Sequence, residues 1–100
     1  MHTPTSIHNI AIEIPAGRWN LICEAHPETA RYLNETMETI EDPEIVFEGK
    51  GNRSIAVKQI DRDTFLSVIY NEKIKQLVTV FITRNLMQYD ELNIIWKKNT

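Results

Sequence analysis

One hundred residues, 42% apolar and 25% charged, fit a single globular domain over 1–100 with one core. No apolar run approaches the ~20 residues of a membrane span, and the N-terminus lacks the basic-then-apolar pattern of an export signal, so a cytoplasmic protein with no membrane partner is expected. The net charge of −3 is uneven: residues 1–48 carry nine acidic and two basic side chains (−7), residues 49–100 nine basic and five acidic (+4). That balance argues against strong nonspecific nucleic-acid binding, and it puts any bound polyanion on the second half, where Lys and Arg can meet phosphate.

Ile10, Ile12 and Ile14 alternate with Ala11 and Glu13, the period of a half-buried strand, and Pro15-Ala16-Gly17 stops it. A short helix is expected over Arg18–Glu24 with Trp19 and Ile22 on one side. Cys23, the lone cysteine, excludes an internal disulfide and a cysteine-built zinc site, and its apolar neighbours assign it to the core. Pro27 suits the first turn of a second helix, where its missing N–H costs nothing. In that helix Ala30, Leu33, Met37 and Ile40 form an apolar stripe, and Glu35, Glu38 and Glu41 are expected in water. Asp42-Pro43 ends it.

Strand signals follow. Ile45-Val46-Phe47 leads into a turn at Gly49-Lys50-Gly51-Asn52. Ser54–Ile60 is the next strand, and Asp61-Arg62-Asp63 connects it to Thr64–Tyr70, which is apolar on both faces and so expected to be central. After Asn71–Lys75 comes Gln76–Arg84, with Val78, Val80 and Ile82 directed at the helices and Leu77, Thr79, Phe81 and Thr83 directed away. That second face mixes hydroxyls with an aromatic, which fits a ligand-facing surface or simply the good strand propensity of Thr. Leu92–Trp96 adds a short edge strand. The layout predicts an α+β fold: two N-terminal helices packed on one face of a mainly antiparallel four- to six-stranded sheet. Ile45–Phe47 and Leu92–Trp96, read as exposed edges, would allow a homodimer.

Three segments carry a family likeness. Arg18-Trp19-Asn20-Leu21-Ile22, His26-Pro27-Glu28 and Glu38-Thr39-Ile40-Glu41-Asp42-Pro43-Glu44-Ile45 together resemble the front half of phage and mobile-element members of the barnase–EndoU–colicin–RelE-like ribonucleases. Arg53, Lys58, the strand Leu66-Ser67-Val68-Ile69 and Val78-Thr79-Val80-Phe81-Ile82-Thr83 are similar to that family's basic strand, central apolar strand and Val-Thr-Ala strand. The likeness covers roughly residues 18–84. Two positions depart from it: Leu21 stands where the pattern has His, and Val80 replaces Ala. The resemblance implies an RNA-cleaving fold, with catalysis weakened or lost in this copy if the missing His belongs to the family's chemistry.

RNA cleavage without a metal uses the 2′-OH as nucleophile, and it needs a base, an acid and cations around the phosphorus. His26 suits either proton-transfer role, since an unperturbed imidazole titrates near about 6.5. Arg53 and Lys58 are the catalytic cations, and Thr79 and Thr83 the hydrogen-bonding residues. Lys50 and Arg84 are RNA-binding cations, and Phe81 is a stacking surface for an unpaired base. Each has a plainer role beside it. The His26 ring can cap a helix start; Glu28, a further candidate for a catalytic role, is favoured in a helix's first turn by the dipole anyway; and Lys50 and Arg53 flank a turn in water. No cofactor is expected. His2, His8 and His26 lack metal-ligand spacing, Gly49-Lys50-Gly51 lacks that of a phosphate loop, and there is no nucleophile elbow.

Two functions follow. The first is a toxin-type endoribonuclease acting on mRNA or tRNA. The second is a non-catalytic interaction protein, a phage or mobile-element inhibitor or antitoxin-like partner, which binds another protein through its acidic helical half or a sheet edge.

Overall fold

In the computed structural model, residues 3–99 are described, so His2 lies outside the described residues. Helix α1 covers Ala16–Ala25, beginning directly after the extended Pro15. Ile22 is buried and Trp19 packs at the margin of the core, while Leu21 is 60% exposed. The second helix differs from expectation. It divides into a 3-10 helix over Pro27–Tyr32 and α2 over Leu33–Glu41. A 3-10 helix has three residues per turn, so Ala30 rotates off the expected stripe and into solvent. Thr29, Thr36 and Thr39 are fully buried beside Met37 and Ile40 instead. Their hydroxyls donate to the carbonyls of His26, Tyr32 and Glu35, each at 2.7 Å, so no polar atom is stranded.

Five strands, β1 (Ile45–Glu48), β2 (Arg53–Asp61), β3 (Thr64–Asn71), β4 (Gln76–Thr83) and β5 (Ile94–Lys97), form one sheet in the order β4-β3-β2-β1-β5. All the pairings are antiparallel, and the helices lie against one face, the α+β arrangement expected. The expected edge at Ile45–Phe47 is overturned. β1 is paired on both sides because the chain returns after β4 to lay β5 along it. Val46 and Phe47 are buried on opposite faces, which suits an interior strand. The middle position belongs to β2; β3, expected there, lies next to it and is apolar on both faces as read.

The segment Ile10–Ile14 keeps its alternation, with Ile12 fully buried, but forms only isolated bridges. Glu13 donates its amide to the Lys75 carbonyl and accepts from the Leu77 amide, both at 2.9 Å, covering the start of the β4 edge.

The principal core joins Ile12, Ile22 and Ile40 to Val46, Ala56, Leu66, Val68, Tyr70, Leu77 and Val80. Leu77 is there because of a β-bulge. Tyr70 is opposite Leu77 and Ile69 opposite Thr79, so Val78 has no partner of its own. An extra residue reverses the alternation beyond it. Leu77, expected on the outer face, therefore faces the helices, and Val78, expected to face them, lies with Thr79, Ile55 and Ile69 on the other side. That other face is partly covered. A 3-10 helix over Leu86–Tyr89 and the following Leu92 close over Phe47, Ile55 and Val57, with the Tyr89 hydroxyl donating to Ser67 Oγ at 3.0 Å.

Candidate functional site

The β1–β2 turn sets the first group of candidate residues. Gly51 and Asn52 both adopt positive φ (64° and 65°), as the two central positions of a tight hairpin turn require. The Arg53 amide donates to the Lys50 carbonyl at 3.3 Å, and the Gly49 amide to the Arg53 carbonyl at 2.8 Å. A Cβ on Gly49 would sit 3.2 Å from that same Arg53 oxygen, so the approach of the two strands depends on glycine. Lys50 and Arg53 stand at the rim of a groove of about 270 Å³ whose walls include Ile55, Ile69, Val78, Thr79 and Leu92. Among the described residues neither cation has a side-chain hydrogen bond or an ion pair.

The second group is at the side of β4. His26 joins α1 to the 3-10 helix, and its ring makes no capping hydrogen bond; the His26 carbonyl instead receives the Thr29 amide and hydroxyl. The plainer capping role is therefore not the one the ring fills. Its Nδ1 is 3.7 Å from Glu28 Oε2, and its ring centroid is 6.0 Å from that of Phe81 at a tilt of 39°. Thr79 and Phe81 are two residues apart beyond the bulge, about 7 Å along one side of β4. The groove and the His26–Phe81 pair are thus neighbours on one strand.

Three candidates are engaged otherwise or stand outside the two groups. Lys58 is on the helix-facing side of β2, with Nζ 2.7 Å from Glu38 Oε1 and 3.6 Å from Asp42 Oδ2. Burial pulls its ammonium down, but Glu38 and Asp42 outweigh burial and hold it above the ordinary lysine value. Asp42 also meets Lys98 at 3.2 Å; that hydrogen bond and charge, with help from Lys58, hold its carboxyl below the usual range. Thr83 is engaged by its own loop. Its hydroxyl bonds the Asn85 carbonyl at 3.1 Å and accepts from the Asn85 amide at 3.2 Å and Gln88 Nε2 at 3.0 Å. Arg84 is exposed just past β4. The structure therefore gathers Lys50, Arg53 and Thr79, sets His26 and Phe81 beside them, places Thr83 next along β4 with its hydroxyl engaged by its own loop, and separates Lys58 from them all.

Two polar clusters were not anticipated from the residues. Ser6 donates to Glu72 Oε2 at 2.6 Å and His8 Nδ1 lies 2.9 Å from Glu72 Oε1, tying the N-terminal segment to the β3–β4 turn. Tyr70 is fully buried, and its hydroxyl has no hydrogen-bond partner among the described residues; burial first, then the charge of Glu72, pushes the phenol up, and nearby Ser54 offsets this only in part. The cover over the second face did leave a sequence signal. Leu86, Tyr89 and Leu92 recur every third residue, the 3-10 period.

Among the described residues no group of three or more His, Cys, Asp or Glu is placed to hold a metal ion, and no helix is long and apolar enough to cross a membrane. No family model matches the chain, and neither a curated protein nor a solved structure is significantly similar to it.

Proposed function

We propose that this protein is a small RNase-like domain that takes single-stranded RNA along the β4 side of the sheet face turned away from the helices and cleaves it by attack of the 2′-OH. The observation that carries the reading is the His26 ring beside Phe81, next along β4 to a groove with two cations, Lys50 and Arg53, that have no side-chain partner among the described residues. Phe81 offers a base-stacking surface, and Lys50 and Arg53 offer charge to phosphate.

His26 and Glu28 supply two titratable groups at one place. The carboxylate of Glu28 takes the proton from the 2′-OH as its oxygen bonds to phosphorus. The imidazolium of His26 gives a proton to the departing 5′-oxygen, leaving a 2′,3′-cyclic phosphate and a 5′-hydroxyl. Arg53 and Lys50 hold another phosphate of the same strand and so seat the RNA against the His26–Phe81 pair. The likeness at His26-Pro27-Glu28 and in the β4 segment supports the same class of chemistry, and the toxin and mobile-element setting comes with that likeness alone.

A non-catalytic interaction protein is the second reading, favoured by Leu21: an apolar side chain 60% exposed on α1 stands where the family pattern has His. Inducible expression in bacteria, with total RNA and growth followed together, separates the two. Growth arrest with RNA cleavage, both abolished by His26→Ala and reduced by Arg53→Ala, is the result expected. Normal growth with intact RNA from the unaltered chain would overturn the nuclease and leave the interaction protein.

A further inference from the structure

We infer that the groove beneath Lys50 and Arg53 is a nucleotide subsite, with the base of one nucleotide on its apolar floor and the phosphate of that nucleotide held by the two cations. The inference deepens the RNA reading above and rests on it. Three observations carry it. First, the lining divides by chemistry and exposure: Ile55, Ile69, Val78 and Leu92 are buried or half-buried, and Lys50 and Arg53 are exposed. An occupant with a flat apolar body and an anionic group matches that division, and a bare phosphate would leave the floor unfilled. Second, both cations lack side-chain partners among the described residues, whereas Lys58 on the opposite face is neutralised by Glu38 and Asp42. Third, the cavity measures about 270 Å³, just below the roughly 300 Å³ at which drug-sized sites begin. That is room for one base, and the rest of a strand would run on past the rim.

The bulge at Val78 builds this floor. Without it Val78 would face the helices and Leu77 would occupy the outer side. Thr79 adds one hydroxyl to the wall, the group available to hydrogen-bond a base edge. Two residues further along β4, about 7 Å on, is Phe81 with the His26 ring beside it.

The test is amide NMR of the full chain titrated separately with 5′-AMP, adenosine and a short single-stranded RNA made non-cleavable by 2′-O-methylation. Shifts centred on Lys50, Arg53, Thr79 and Leu92 are expected with 5′-AMP. The Arg53→Ala variant should bind 5′-AMP about tenfold more weakly, the loss of one charge-assisted phosphate contact, and adenosine, which meets neither cation, should bind the native chain about a hundredfold more weakly. With the RNA, shifts at the groove and at His26 and Phe81 support both the subsite and the wider reading. Shifts at His26 and Phe81 alone overturn the subsite and leave the RNA reading standing. No shift at either place overturns both, and adenosine binding as tightly as 5′-AMP removes the role given to the cations. Val78→Phe, which fills the floor and leaves Lys50 and Arg53 in place, should abolish the 5′-AMP shifts while the spectrum stays folded; retained shifts would overturn the base position.

Discussion

Lys58→Met separates the structural role of Lys58 from the catalytic role its sequence position suggested. The Lys58 side chain is 19% exposed and its ammonium bridges Glu38 and Asp42, which are 59% and 56% exposed. Met keeps the apolar stem against the sheet and removes only the charge. The two acidic partners are well solvated, so screening discounts each contact towards the value of a surface pair, under about 1 kcal/mol. The loss expected is about 1 kcal/mol in all, or roughly 4–8 °C in Tm for a domain of this size.

The pH dependence of that loss has a definite sign. Lys98 first and Lys58 second hold the Asp42 carboxyl low; its contribution is complete above the unfolded value near ~4 and disappears as pH falls through the lower folded one. The Lys58 ammonium is held high, so its contribution is complete below the unfolded value near ~10.4 and disappears as pH rises past the folded one. Urea unfolding across pH should therefore show a constant gap between the native chain and Lys58→Met from about pH 5 to 9, closing on both sides. RNA cleavage by Lys58→Met should equal that of the native chain. Unchanged stability together with lost cleavage would refute the reasoning and return Lys58 to the reaction.

Two further substitutions test the register and the buried phenol. Leu77→Ala should cost about 2–4 kcal/mol and Val78→Ala under about 1 kcal/mol in urea unfolding, since only Leu77 reaches the main core; the reverse order would mean that the bulge is misplaced. Tyr70→Phe should be neutral or stabilising by up to about 1 kcal/mol, because it removes a buried hydroxyl that has no partner. A loss above about 1 kcal/mol would show that Ser54 accepts a true hydrogen bond from it.

Much of the fold was legible because its signals are local. The apolar runs and the turn residues between them placed Ser54–Ile60 and Thr64–Tyr70 within a residue of β2 and β3, and Asp42-Pro43 marked the end of α2. The misses are non-local. Whether Val78 is bulged is decided by its pairing with Ile69 and Tyr70, which no period within Gln76–Thr83 records. The burial of Ile45–Phe47 between two neighbours depends on a strand returning from residue 94 onward. Three threonines in the helical segments read as polar, yet they are buried because each hydroxyl bonds a carbonyl three or four residues back.

The site was legible as a list and not as a geometry, and strand parity explains the difference. Arg53 and Lys58 are five residues apart on β2, whose pairing with β3 is regular between them. An odd separation in a regular strand puts two side chains on opposite faces, so these two cations could never share one site. The charge asymmetry of the chain then decides which of them is free. The acidic α2 covers one face, and its Glu38, with Asp42 just beyond it, takes up Lys58. Arg53, and Lys50 beside it, face the other way, with the sheet between them and those carboxylates. The sheet thus divides the basic half of the sequence into cations that hold the fold together and cations left for an anion. The face away from α2 is where that anion is expected, and the same division explains how a net-acidic chain can present a local site for phosphate.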